Sequence, residues 1–220
     1  MNIQAAIFDM DGTLLDSGPI WRDILQGIPV SFGMDISDDD FIAMYAMTWE
    51  DTVTFLEKKY KNAPLQVPLD NVLTSITDAI TAAYAVNIQC KPGVPEYLET
   101  LRQKGIRMCV ATLTPTEYAK TALERVGLAP YFEFVITGDD VGADKRSPDI
   151  FLEAARRLET APADAAVYED SLIAAKTAHA AGFKVVGVYD PFQVYEFDEI
   201  LPYTQATIRD YRALRDAVPV

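Results

Sequence analysis

The stretch AAIFDMDGTLLDS, residues 5–17, joins a short apolar run directly to two aspartates that stand one residue apart, Asp9 and Asp11. Continuous apolar runs of this length are typical of strands buried on both faces, as in a parallel sheet. Two carboxylates so close together repel each other, so a strand that ends in them is costly unless something neutralises their charge. The stretch therefore predicts the first strand of an α/β sheet with an acidic end that attracts a cation.

Four more apolar runs predict the rest of the sheet. They are RMCVA (107–111), FEFVI (132–136), AAVY (165–168) and KVVGV (184–188). Helical patterns alternate with these runs, and the alternation predicts a doubly wound, Rossmann-like parallel sheet. Two helix starts carry capping signals: Thr114-Pro115-Thr116-Glu117 fits a capping box, and Ser147-Pro148 fits a cap followed by proline.

Residues 17–90 have a different character, because they show helical patterns such as WEDTVTFLEKKY and no run typical of a buried strand. We interpret them as an all-helical insertion of about four helices. The sequence thus predicts a core domain made of residues 1–16 and 91–220, interrupted by a helical domain over 17–90.

Composition excludes several classes of function. The 220 residues include 19 basic and 33 acidic side chains, for a net charge of −14. Such a charge argues against nucleic acid and anionic membranes as partners. No signal peptide or membrane-span pattern is visible, and the two cysteines, Cys90 and Cys109, form no CxxC pair. We expect a cytoplasmic monomer without a zinc site.

Ligands of open α/β sheets bind beyond the carboxyl ends of the strands, so polar residues at those positions are the candidates for a site. Those residues are Asp9, Asp11, Gly12 and Thr13 after the first run, Thr112 after the second, Lys145 before a later helix, and Glu169 and Asp170 after the fourth. Four acids, a lysine and hydroxyl groups are therefore expected to converge on one crevice.

This set of side chains suits phosphoryl transfer. A divalent cation between Asp9 and Asp170 would neutralise the carboxylates, and oxygen-only ligands favour Mg²⁺. Asp9 could then act as a covalent nucleophile, and Asp11 as the acid and base. Gly12 permits a tight turn whose N–H groups face the phosphate. Thr112 and Lys145 could stabilise the phosphate charge.

Four motifs in the same order resemble the phosphatases of the haloacid dehalogenase superfamily that carry an α-helical cap after the first strand, such as β-phosphoglucomutase and phosphoglycolate phosphatase. The motifs are DMDGTLLDS, the strand ending in Thr112, DKRSPDIF, and YEDSLIAAKTAHAAGFKVVGV.

The resemblance implies a Mg²⁺-dependent hydrolase of a small phosphorylated metabolite, such as a sugar phosphate, that works through an aspartyl-phosphate. Within it, Asp9 is the nucleophile and Asp11 the acid/base. The implied metal ligands are Asp9, the carbonyl of Asp11, and Asp170, supported by Glu169. The implied phosphate ligands are Gly12, Thr13, Thr112, Leu113 and Lys145.

Alternatives differ in what they require of the sequence. A calcium loop counted from Asp9 would need glycine and glutamate where Leu14 and Ile20 stand. Thr112 could simply end a strand, and Lys145 could be a surface lysine. A phosphomutase of this family tends to have a cap arginine where Trp49 stands here, which lowers that hypothesis. A non-catalytic binding protein is expected to lack the nucleophile or a metal ligand, and none is missing.

Overall fold

The structure of the protein is a computed structural model, which describes residues 2–45, 47, 49–61, 65, 67–193 and 197–214 fully and the backbone of 194–196. Contacts group the chain into two compact units, residues 1–16 with 88–220 and residues 17–87. The sequence places the second boundary slightly later, at residue 90. Of the helices described, none has the length and apolarity needed to cross a membrane.

The first unit is built on a six-stranded sheet in which every neighbouring pair is parallel. The strands are β1 (Ala5–Phe8), β2 (Arg107–Thr112), β3 (Val135–Thr137), β4 (Ala165–Glu169), β5 (Lys184–Val188) and β6 (Ala206–Ile208). Their spatial order is β3-β2-β1-β4-β5-β6, which confirms the predicted doubly wound fold. Because β1 lies between β2 and β4, the carboxyl ends of these three strands meet at one edge of the sheet.

The second unit is helical in the parts that the structure describes. Its α-helices are α1 (Gly18–Arg22), α2 (Ile28–Ser31), α3 (Asp38–Tyr45), α4 (Trp49–Tyr60) and α5 (Leu69–Ala82), with π-helical turns at Asp23–Gly27 and Ala83–Asn87. The longest helix, α5, buries Val72, Ile76 and Ile80, which recur at the four-residue spacing of one helix face. Helix α5 contacts α2 and α4 of the same unit.

In the described part of the first unit, six further α-helices follow: α6 (Val94–Gln103), α7 (Thr116–Arg125), α8 (Gly138–Val141), α9 (Asp149–Arg157), α10 (Leu172–Ala180) and α11 (Val194–Ile200). On one face of the sheet, Ile7 and Cys109 pack in a buried cluster with Phe151 of α9 and Ala175 of α10. Both faces of β1 are buried along its whole length. This burial is the reason for its continuous apolar sequence.

Two strands differ from the sequence prediction. The run at 132–136 predicts a strand from Phe132, but β3 begins at Val135, where its register with Val110 of β2 begins. The sequence predicts no strand at β6, since its three residues are half-buried, exposed and buried in turn and form no apolar run.

Candidate active site

The nucleophile candidate lies in a tight loop at the end of β1. The amide of Asp9 still donates to the Tyr168 carbonyl of β4 at 2.9 Å, so Asp9 is held in line with the sheet. The chain then turns sharply, with Leu14 N–H donating to the Met10 carbonyl at 2.9 Å. Gly12 adopts a φ of 79°, a left-handed conformation that glycine tolerates best.

Three buried carboxyl groups come together at this edge. Ligand oxygens of Asp9, Glu169 and Asp170 all lie within 4.8 Å of one another. Glu169 is the last residue of β4 and Asp170 follows it, so strand pairing with β1 brings the two sets of acids side by side. The sequence predicts that these three acids lie together, and the structure brings them together.

Burial and mutual repulsion change the protonation of these acids. Burial raises the pKa of Glu169 to about 7, and the charge of Asp9 adds to the effect. Burial likewise raises the pKa of Asp170 well above its ordinary value, with further contributions from the charges of Asp9 and Glu169. The cluster therefore holds its full negative charge only when a cation compensates it.

Lys145 supplies one such cation. Its ammonium group contacts Oδ1 of Asp9 and lies 2.5 Å from Oε1 of Glu169. Burial opposes the charged form, but the two carboxylates outweigh it and raise the pKa of Lys145 above its ordinary value. Lys145 is therefore a buried, charged member of the cluster and not a surface lysine.

The cluster also fits a divalent metal ion. Asp170 accepts a hydrogen bond on Oδ1 from the Thr13 hydroxyl at 3.0 Å, while its buried Oδ2 has no hydrogen-bond partner among the described residues. A Cβ at Gly12 would lie 2.1 Å from that Oδ2, so only glycine leaves it accessible. A group of carboxylate oxygens in which Oδ2 of Asp170 accepts no hydrogen bond from the described residues suits a hard cation such as Mg²⁺.

The amide of Gly12, in the predicted tight turn, is bonded to the loop itself. It donates to the Leu15 carbonyl at 3.0 Å, so this N–H is engaged within the loop. Gly12 contributes by its shape, because it lets the loop approach Asp170 closely.

Thr114 has a different role from the one predicted. Helix α7 begins at Thr116, with Pro115 before it and no side-chain cap, so the predicted capping box is wrong. The Thr114 hydroxyl instead donates to Oδ2 of Asp11 at 2.7 Å. Its amide donates to the hydroxyl oxygen of Thr112 at 3.1 Å. The contact with Asp11 requires the fold, which is why local sequence rules favour a cap.

Two predicted phosphate ligands, Thr112 and Leu113, differ in burial. Thr112 ends β2 and is almost completely buried, whereas Leu113, the next residue, is exposed over 39% of its surface.

The second predicted helix cap, at Ser147-Pro148, is also wrong. The Ser147 hydroxyl donates to the Asp149 side chain, and α9 begins at Asp149 without a side-chain cap.

Sequence reasoning missed a second buried ion pair near the cluster. The Lys91 ammonium lies 2.9 Å from Oδ2 of Asp190. The charges of both groups affect the pKa of Asp170, Asp190 raising it and Lys91 lowering it. Asp190 stands two residues after β5, so the rule about polar residues at strand ends could have found it.

Comparison with known proteins identifies the family of this chain. A family model described as haloacid dehalogenase-like hydrolase matches residues 3–182. The chain belongs to the haloacid dehalogenase-like hydrolase family. It is a phosphatase-type enzyme of that family, as the resemblance in its motifs predicts.

Curated relatives match most of the chain. A phosphorylated carbohydrates phosphatase from Thermotoga maritima is 28% identical over 187 residues, covering 84% of this chain and 85% of the relative. A phosphoglycolate phosphatase from Escherichia coli is 26% identical over 246 residues, covering 99% of this chain and 92% of the relative. The crystal structure of CbbY from Rhodobacter sphaeroides in complex with phosphate has a TM-score of 0.77 at 24% identity, with 96% of each chain covered, and so shares the fold.

Proposed function

We propose that this protein is a Mg²⁺-dependent phosphomonoester hydrolase that acts on a small phosphorylated metabolite, with phosphorylated carbohydrates as the first class to test. The observation that carries the proposal is the buried cluster of Asp9, Glu169 and Asp170 with the ammonium of Lys145 among them. The substrate class is suggested by the relatives, which include the phosphorylated carbohydrates phosphatase and the phosphoglycolate phosphatases.

In the proposed reaction, a carboxylate oxygen of Asp9 attacks the phosphorus of the substrate, and the bond from phosphorus to the leaving oxygen breaks. Asp11 gives its proton to that oxygen, so the alcohol leaves neutral. Asp11 then removes a proton from water, and the hydroxide attacks the phosphorus of the aspartyl-phosphate as the bond from phosphorus to the Asp9 oxygen breaks. Inorganic phosphate leaves, and both carboxyl groups return to their first state.

The other residues hold the charges in place. Asp9, Asp170 and the main-chain carbonyl of Asp11 would bind Mg²⁺, with Glu169 in support. When bound, Mg²⁺ supplies positive charge that offsets the carboxylates and the phosphate. Lys145 already lies against Asp9, where it can also neutralise a phosphate oxygen.

Further phosphate ligands belong to the proposal. We assign Thr112 a hydrogen bond to the phosphate, and we place Thr13 and the backbone of Leu113 along the same pocket, with Gly12 giving the loop its shape. The monomeric state and the cytoplasmic location are also parts of the proposal; a net charge of −14 disfavours self-association, and sedimentation velocity tests it.

The decisive experiment measures phosphate release from a panel of phosphorylated metabolites with Mg²⁺ and, in parallel, with EDTA. Asp9→Asn and Asp11→Asn are expected to lose hydrolysis of p-nitrophenyl phosphate by at least about a thousandfold while keeping their circular dichroism spectra. Asp198→Asn, the same chemical change on an exposed face of α11, is the matched control and should keep wild-type turnover. Near-normal rates in either site variant would refute the assigned roles.

The same preparation separates hydrolysis from phosphomutase activity. With β-glucose 1-phosphate, a phosphatase yields free glucose and phosphate, whereas a mutase yields glucose 6-phosphate. Free glucose is the expected product.

A further inference from the structure

Tyr211, in the C-terminal part of the first unit, contacts the catalytic loop. Tyr211 opens a 3-10 turn at Tyr211–Leu214, after β6 and beyond the residues 3–182 that match the family. Its side chain is 3% exposed, and its hydroxyl donates to the main-chain carbonyl of Thr13 at 3.2 Å. Burial raises the pKa of Tyr211 well above its ordinary value, so the hydroxyl keeps its proton and remains a donor.

Thr13 carries this contact onward to the carboxylate cluster. While its carbonyl accepts from Tyr211, its own hydroxyl donates to Oδ1 of Asp170 at 3.0 Å. The other oxygen of Asp170, Oδ2, is buried and has no hydrogen-bond partner among the residues that the structure describes. One side of the carboxylate is thus fixed by the loop, and the other is free for a cation.

The fit of the loop against Asp170 leaves little freedom. A Cβ on Gly12 would lie 2.1 Å from Oδ2 of Asp170, so a small shift of the loop would press on this oxygen. The hydrogen bond from Tyr211 to the Thr13 carbonyl holds the loop in place and therefore also determines where Oδ2 of Asp170 lies.

The position of Tyr211 is itself well determined. Its ring packs edge-on against Tyr97 of α6 with centroids 5.3 Å apart. A Cβ at Gly93 would lie 2.6 Å from the backbone nitrogen of Arg212, so the glycine allows the turn to pack directly on the chain before α6. Lys91, in the same segment, donates its amide to the Leu14 carbonyl of the catalytic loop at 2.8 Å.

We propose that Tyr211 is a positioning residue for the metal site: its hydroxyl fixes Thr13, and Thr13 fixes the carboxylate of Asp170 with Oδ2 directed to the cation. The inference rests on the proposed function, because it assigns Asp170 as a metal ligand. Tyr211 lies outside residues 3–182, so a segment beyond the family match helps to hold the metal site. Tyr211 acts through Thr13 and does not touch the substrate.

The test is the affinity of the full chain for Mg²⁺, measured by titration calorimetry without substrate. Tyr211→Phe removes only the hydroxyl. We expect it to weaken Mg²⁺ binding by about three- to tenfold, because Thr13, which holds the metal ligand Asp170, loses one hydrogen bond. Tyr97→Phe is the matched control, since it removes a buried hydroxyl from the same aromatic cluster, one that bonds to Tyr168 at 2.9 Å and not to the loop. It should bind Mg²⁺ as the wild type does.

A double-mutant cycle tests the route. Thr13→Val breaks the link to Asp170, so adding Tyr211→Phe to it should cause little further loss of affinity. Unchanged Mg²⁺ binding in Tyr211→Phe would overturn the inference. So would equal losses in Tyr211→Phe and Tyr97→Phe, which would trace to general packing, or fully additive losses in the cycle.

Failure of this inference can be told apart from failure of the proposed function. A wild-type chain that binds Mg²⁺ but hydrolyses no phosphomonoester refutes the function alone. A wild-type chain that hydrolyses phosphomonoesters while Tyr211→Phe binds Mg²⁺ normally refutes the inference alone.

Discussion

At the scale of single residues, the hydroxyl of Thr114 is the contact whose effect on activity is easiest to isolate. It donates to Oδ2 of Asp11 at 2.7 Å and so restrains the side chain that the proposed reaction uses to move protons. Thr114→Val keeps the shape of the side chain and removes the donor. We expect kcat to fall roughly tenfold, as for the loss of a hydrogen bond to a charged group, with little change in the KM for substrate.

Thr114→Ser is the matched control, because it keeps the hydroxyl and should retain most of the wild-type kcat. Steady-state kinetics with p-nitrophenyl phosphate and a carbohydrate phosphate would measure both variants. A Thr114→Val enzyme as fast as the wild type would show that the hydrogen bond has no part in turnover.

The acids, Thr112 and Lys145 could be chosen from the sequence because each stands at the end of an apolar run or before a helix, and one rule about parallel sheets brings these positions together. The contacts of Thr114 with Asp11 and of Tyr211 with Thr13 could not, because they join residues 103 and 198 positions apart. For Thr114 the local signal even favours another role, because a threonine before Pro115 is typical of a helix cap.

At the scale of elements, the loop after β1 depends on a residue without a side chain. Gly12→Ala would place a Cβ 2.1 Å from Oδ2 of Asp170 and would also strain a backbone with a φ of 79°. We expect phosphatase activity to fall by at least about a hundredfold, because the alanine either displaces Asp170 or shifts the loop.

Gly105→Ala separates strain from crowding. Gly105 follows α6 with a φ of 73°, so alanine is strained there too, but its Cβ would meet nothing within 4 Å. This control should lower the unfolding free energy by about 1 kcal/mol and leave kcat unchanged. If Gly12→Ala behaved like Gly105→Ala in both assays, the close approach to Asp170 would be of no functional consequence.

The strands show which elements a sequence can predict. Runs that are buried on both faces, such as those of β1, β4 and β5, are visible from composition alone. The bounds of β3 follow its register with β2, and the three residues of β6 pair with β5 at the edge of the sheet. Such elements are determined by the assembled sheet and leave little trace in their own residues.

At the scale of the whole molecule, the buried acids link stability to pH and to metal. Burial raises the pKa of Glu169 to about 7 and that of Asp170 well above its ordinary value, so the metal-free folded state holds protons that the unfolded chain has released. The stabilising contribution of Glu169 is complete below about pH 4 and is lost as the pH rises through about 7, and that of Asp170 is lost in the same direction with rising pH. For Glu169 alone the loss is about 3 kcal/mol.

Mg²⁺ should reverse this trend, because it binds the ionised carboxylates and has to displace protons at low pH. We expect the increase in unfolding temperature caused by saturating Mg²⁺ to be clearly larger at about pH 8 than at about pH 5. Calorimetry in moderate salt measures it, since salt screens the general repulsion of a chain with net charge −14 but acts little on a buried cluster. Asp170→Asn is the control: without metal it should depend less on pH than the wild type, and Mg²⁺ should barely stabilise it. Equal stabilisation by Mg²⁺ at both pH values would mean that the cation binds elsewhere, because only a site made of these buried acids couples metal binding to their protons.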